Sequence, residues 1–92
     1  MSKLYDVLLH RNITGILLYI HYTPGTNNTN ISKDVDITYC YVFRLLKELV
    51  VEGLIKIDKT HRSHRIYLTE KGKRVVKLIS KLKSEFSKVA TN

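Results

Sequence analysis

The run ISKDVDITYCYVFRLLKELVVEGLI, from Ile31 to Ile55, constrains this chain more than any other stretch. Its apolar residues fall where two short helices meeting across a sharp turn need them. Ile31 and Val35 stand four apart on a first helix, Asp36 follows at the turn, and Ile37 is placed to plug the angle between the helices. Thr38 is a cap for the second helix, because its side-chain oxygen can accept from a backbone N–H of the first turn. On that second helix Val42, Leu45, Leu46 and Leu49 share one stripe at spacings of three and four, the buried face of an amphipathic helix. The opposite face carries Cys40, Arg44 and Lys47.

The 92 residues suffice for one small domain, 1–92, with a modest core. Such chains bury only about two-thirds of their unfolded surface, so a partner subunit adds useful stability. An apolar share of 43% and a charged share of 26% argue against wholesale disorder. The distribution of charge is less ordinary. Residues 1–52 hold five Lys or Arg and five acids, whereas from Gly53 onward eleven basic residues face only Asp58, Glu70 and Glu85 and supply the whole net charge of +8. Charge gathered on one half of a small chain reads as a surface for a polyanion. The alternative is a Lys-rich solvated face of the kind thermophiles use.

No window of 18 or more apolar residues exists, and the N-terminus lacks the order of a signal peptide. The expectation is a cytoplasmic chain, in the host cytoplasm if viral, without contact to a membrane. The glycosylation-like triplets at Asn12, Asn27 and Asn30 are then chance matches. Cys40 is the lone cysteine, which excludes an intrachain disulfide.

Asn12 is placed to cap a helix striped by Ile13, Ile16, Leu17 and Ile20 and stopped by Pro24-Gly25. Leu4, Val7 and Leu8 suggest another helical segment before it; the pattern fits Ser2 to Tyr22 as one bent helix or as two, and two is the reading favoured. Thr23 to Thr29 has no large apolar residue and several turn formers, as a surface loop does. The helical pair then occupies 28–53. Gly53 stands where a left-handed residue ends a helix, and Ile55 and Ile57 alternate with Lys56 and Asp58 as in a short strand whose antiparallel partner is Arg65 to Leu68. That hairpin, 54–68, has a polar, basic tip at Lys59-Thr60-His61-Arg62-Ser63-His64 with nothing to give a core. Thr69 then caps a last helix, 69–89, whose Val75, Leu78, Ile79, Leu82, Phe86 and Val89 form one stripe opposite Lys73, Arg74, Lys77, Lys81 and Lys88.

Helix, helix-turn-helix, basic hairpin and C-terminal helix, in that order, resemble the winged helix-turn-helix regulators, and the MarR-like group among them. The likeness covers Ile13 to about Leu82, and rests on the runs VFRLLKELVVEGLI and IDKTHRSHRIYLTEKGK. Ser32 departs from the usual Ala of the first helix and Asp36 from the usual turn Gly, although Asp enters the left-handed region more readily than most residues. The chain is shorter than typical MarR-like proteins and looks more like the minimal winged-helix proteins of archaea and their viruses. The implied fold class is α+β, mostly helical, with a small antiparallel β-hairpin wing and a C-terminal dimerisation helix.

The resemblance implies a sequence-specific, homodimeric regulator of transcription on double-stranded DNA. The second helix of the motif would enter the major groove, with Thr38, Tyr39, Cys40, Tyr41, Arg44 and Lys47 as candidate contacts. Arg44 is the best base reader, because a guanidinium bonds two acceptors of guanine at once; the plainer reading pairs it with Glu48 one turn on. Tyr39, Tyr41 and Phe43 flank the outward face, where their rings could pack on thymine methyls or sugars or cover the edges of the core, the second being favoured for Phe43. The wing's Lys59, Arg62, His64 and Arg65 would lie along the minor groove, Arg62 nearest the tip. Leu4, Leu8, Leu78, Ile79, Leu82, Phe86 and Val89 are the candidate dimer interface; the alternative folds the last helix back on the Ile13 to Ile20 stripe. No cofactor is implied. His61 and His64 lack a third metal ligand, and no nucleophile with a base, acid pair or phosphate loop marks an enzyme. Other readings are a protein-interaction module using Val50 and Val51, architectural DNA binding, and a membrane-surface helix.

Overall fold

Helices form in this chain where apolar periodicity and capping chemistry coincide. The computed structural model of the protein describes residues 11–60, 62 and 64–90, the last five by backbone alone. Helix α1, Arg11–Tyr22, buries Ile13, Ile16, Leu17 and Ile20. Arg11 is already helical, so Asn12 lies inside the helix and not at its cap, contrary to expectation. The segment around Leu4, Val7 and Leu8 lies outside the described residues.

Helix α2, Asn28–Val35, is capped by Asn27, whose side chain accepts from Asn30 N at 2.9 Å. Ser32 tolerates its helical position by donating its hydroxyl to Thr29 O at 3.0 Å. The turn that follows is made by Asp36 at φ 61° and ψ 50°, the left-handed conformation that its short polar side chain permits. Helix α3, Tyr39–Val51, opens on Thr38, which accepts from Tyr41 N at 3.4 Å, and buries Val42, Leu45, Leu46 and Leu49. Its end is a Schellman motif: Gly53 takes φ 75°, Leu54 N donates to Leu49 O at 2.9 Å, and Gly53 N donates to Val50 O at 3.0 Å.

Strands β1, Ile55–Asp58, and β2, Arg65–Leu68, pair antiparallel with Ile55 opposite Leu68 and Ile57 opposite Ile66. Alternation turns Ile55, Ile66 and Leu68 into the core. The segment before α2 is not the free surface loop its composition suggests. Ile66 N donates to Thr26 O at 2.8 Å and Gly25 N to Ile66 O at 3.0 Å, so Thr26 is buried as a one-residue third strand beside β2.

Helix α4, Glu70–Ala90, is locked to the end of α3. Thr69 Oγ1 accepts from Gly72 N at 3.0 Å and donates to Gly53 O, Thr69 N donates to Leu54 O at 3.1 Å, and Lys71 Nζ reaches Glu52 O at 2.8 Å. Gly72 is required there, because a β-carbon would collide with the Leu54 carbonyl oxygen. The first half of α4 packs Val75, Val76 and Ile79 into the shared core with α1 and β2. Beyond Ile79 the described side chains are exposed, and the long helix contributes to a molecule 49 Å in its longest extent.

Candidate nucleic-acid interface

The α2–turn–α3 unit is held rigid from both sides. Ile31 is fully buried, and Val35 and Ile37 pack against the same core. Tyr19 of α1 donates its hydroxyl to Asp34 Oδ2 of α2 at 2.6 Å. That bond is the main reason the phenol is held above its ordinary pKa of 10.0, since the carboxylate accepts a proton the phenolate would lack. The Schellman turn and the Thr69–Lys71 latch then fix the far end of α3 to α4. A helix clamped in this way presents its outer side chains at defined positions, which is what docking to a groove requires.

The outer face of α3 carries Tyr39, Cys40, Phe43, Arg44 and Lys47, all exposed, with Thr38 exposed at its N-terminus. Arg44 forms no ion pair with Glu48 among the described residues, so its guanidinium is available to another acceptor. Lys47 Nζ lies 5.1 Å from the centroid of the Phe43 ring, a cation–π distance. Tyr41 differs from its neighbours: it is half-buried and packs against the core, because it sits on the shoulder of α3 away from Phe43. Phe43 differs in the other direction. It is 51% exposed, where the sequence favoured a place at the edge of the core. Its position near 100° from the Val42 direction was the available signal, and the attraction of aromatic rings for cores obscured it.

On the hairpin, Lys56, Lys59, Arg62, His64 and Arg65 are exposed. The tip begins in a tight polar turn in which Asp58 Oδ1 accepts from Thr60 N at 3.0 Å and from Thr60 Oγ1 at 2.6 Å. His61 and Ser63 lie outside the described residues. Among those described, no three His, Cys, Asp or Glu side chains gather as metal ligands, and no helix is long and apolar enough to cross a membrane.

The candidate dimer surface divides. Ile79 is buried within its own chain, where it joins Val76 in the core that α4 shares with α1; Val76 was missing from the stripe read in the sequence. Leu78 and Leu82, by contrast, are 55% and 46% exposed. Leu4 and Leu8, and the side chains of Phe86 and Val89, lie outside what the structure describes. Val75, Val76 and Ile79 are thus turned into the chain's own core, while Leu78 and Leu82 stand on the exposed side of the same helix.

Three helices, a two-stranded wing and a following helix in this order are a known architecture, and the winged helix-turn-helix family pattern matches residues 11–87. The chain belongs to that family. Solved structures of similar fold are MarR-type regulators. A mutant of S. aureus MepR superposes with a TM-score of 0.85 at 23% identity, covering 97% of this chain and 69% of that one. A MarR transcriptional regulator from Methanosarcina mazei gives a TM-score of 0.75 at 28% identity, over 84% of this chain and 53% of its own length. The transcriptional repressor CouR, solved bound to a 23-mer DNA duplex, gives 0.74 at 25% identity, over 87% of this chain and 64% of that one. This winged helix protein thus spans between 53% and 69% of these three relatives' lengths. No curated protein matches its sequence.

Proposed function

We propose that this winged helix protein is a sequence-specific regulator of transcription that binds double-stranded DNA as a homodimer, with α3 in the major groove and the wing at the adjacent minor groove. The observation that carries the reading is the rigidly clamped α3 with Arg44 and Lys47 exposed on its outer face and in no ion pair among the described residues, followed directly by a hairpin bearing exposed Lys59, Arg62, His64 and Arg65. The repressor of similar fold solved bound to a DNA duplex supports double-stranded DNA as the partner. Thr38, Tyr39 and Cys40 stand at the N-terminal end of α3, where backbone N–H groups favour a phosphate and side chains reach base edges. Tyr41 keeps only the part of its ring not committed to the core.

Dimerisation follows from the exposed Leu78 and Leu82, four residues apart on a helix that outruns its own core. Two copies joined there place two recognition helices for half-sites about 34 Å apart, one turn of the duplex. Selection of bound sites from random duplex DNA at near-physiological salt tests the reading. An enriched inverted repeat at that spacing is expected. Retention without an enriched motif would replace it with architectural binding. No retention would overturn it in favour of a protein-interaction module, which the 79% exposure of Val51 at the end of α3 favours.

A further inference from the structure

We infer that α3 recognises thymine through its 5-methyl group, with the Phe43 ring as the contact and Tyr39 beside it. The inference rests on the DNA-binding reading above and names what that reading recognises. Phe43 and Tyr39 are both more than half exposed, which leaves two aromatic rings in water on a helix whose apolar stripe is otherwise buried. At about 100° per residue, Tyr39, Phe43 and Val50 fall within about 40° of one another and make one continuous apolar shoulder along α3. Val50 too is exposed. Lys47 borders this shoulder, about 40° round from Phe43, Arg44 lies farther round on the outer face, and Glu48 lies on the opposite shoulder.

An apolar shoulder edged by the Lys47 ammonium and free of carboxylates fits a partner that combines negative charge with small apolar groups. The major groove is such a surface: phosphates line its rims, and among the bases only thymine presents a methyl group there. The contact of Lys47 with Phe43 fits the same partner. With its ammonium 5.1 Å from the ring centroid, the lysine holds the ring against the helix face and keeps a positive charge next to it. A ring restrained before binding loses less freedom when it meets a methyl group. Arg44, on the side of α3 opposite the core, is left to read guanine, so one helix has two kinds of reader.

The test uses the full chain and the duplex recovered by selection, with each thymine replaced in turn by deoxyuridine, which lacks only the methyl. The wild-type chain should bind about three- to fivefold more weakly for one or two replacements in each half-site, the effect of one buried methyl group. Phe43→Ala should lose affinity for the thymine duplex and no longer distinguish it from the deoxyuridine one, whereas Phe43→Leu should keep part of the difference. Arg44→Ala should keep it in full. Circular dichroism should show Phe43→Ala folded, as its exposed position implies. A wild-type chain that selects a motif yet ignores every replacement overturns the inference and leaves the function standing. So does a deoxyuridine effect that survives in Phe43→Ala, or a motif without thymine. A chain that selects no motif overturns the parent reading, and this one falls with it.

Discussion

Gly72 shows how a single residue sets the geometry of the site. It lies in the first turn of α4 against the Leu54 carbonyl, and a methyl group there must push α4 away from the turn that ends α3. Gly72→Ala is expected to cost about 1–3 kcal/mol, the range for overpacking a tight contact, seen as a lowered urea midpoint with unchanged slope. Tyr19 gives a pH-dependent counterpart. Its pKa is raised by the bond to Asp34, so the stabilisation from that bond is complete below the ordinary tyrosine value of 10.0 and is lost as pH rises through the folded-state value. Thermal melts of the wild type and Tyr19→Phe should therefore differ at pH 8 and converge well above pH 10. Arg44 and Arg62 belong to different tasks. Arg44→Ala should lose about 1–3 kcal/mol of discrimination at one base pair, while Arg62→Ala should weaken binding evenly across sequences. Equal loss of preference in both variants contradicts that division.

At the scale of elements, the wing and α3 differ in how they respond to salt. If Lys59, Arg62 and Arg65 each neutralise a phosphate, replacing any one by alanine lowers the slope of log affinity against log salt by about 0.9. An unchanged slope in all three variants would remove the wing from the interface. The elements also show which parts of the structure are legible in the sequence. The turn at Asp36, the Thr38 and Thr69 caps, the Gly53 terminus and the two strands of the hairpin depend on residues close in the chain, and each can be read from its own neighbourhood. Thr26 was hidden because its pairing with Ile66 bridges forty residues and involves only backbone groups. Val76 was missed and Ile79, named for the dimer surface, is buried in its own chain, because the depth to which α1 covers α4 is a tertiary matter. The exposure of Phe43 likewise depends on what packs beside α3, and only the structure supplies that.

For the molecule as a whole, the separation of a neutral first half from a basic second half acquires a meaning once the fold is known. The wing and α4 carry the positive charge, while α1, α2 and the buried stripe of α3 provide most of the core against which α3 is aimed. Self-association should rest on the outer part of α4. Leu82→Glu is expected to turn a sedimenting dimer into a monomer that keeps its far-ultraviolet circular dichroism, and to weaken binding to an inverted repeat far more than to a single half-site. A variant that remains dimeric would locate the interface elsewhere. The central claim, that α3 reads base edges in the major groove, is tested most directly by methylation interference on the selected duplex. Methylation of guanine N7, in the major groove, should block the wild-type chain at one position in each half-site and have no effect at that position on Arg44→Ala. Interference confined to adenine N3, in the minor groove, would contradict the account.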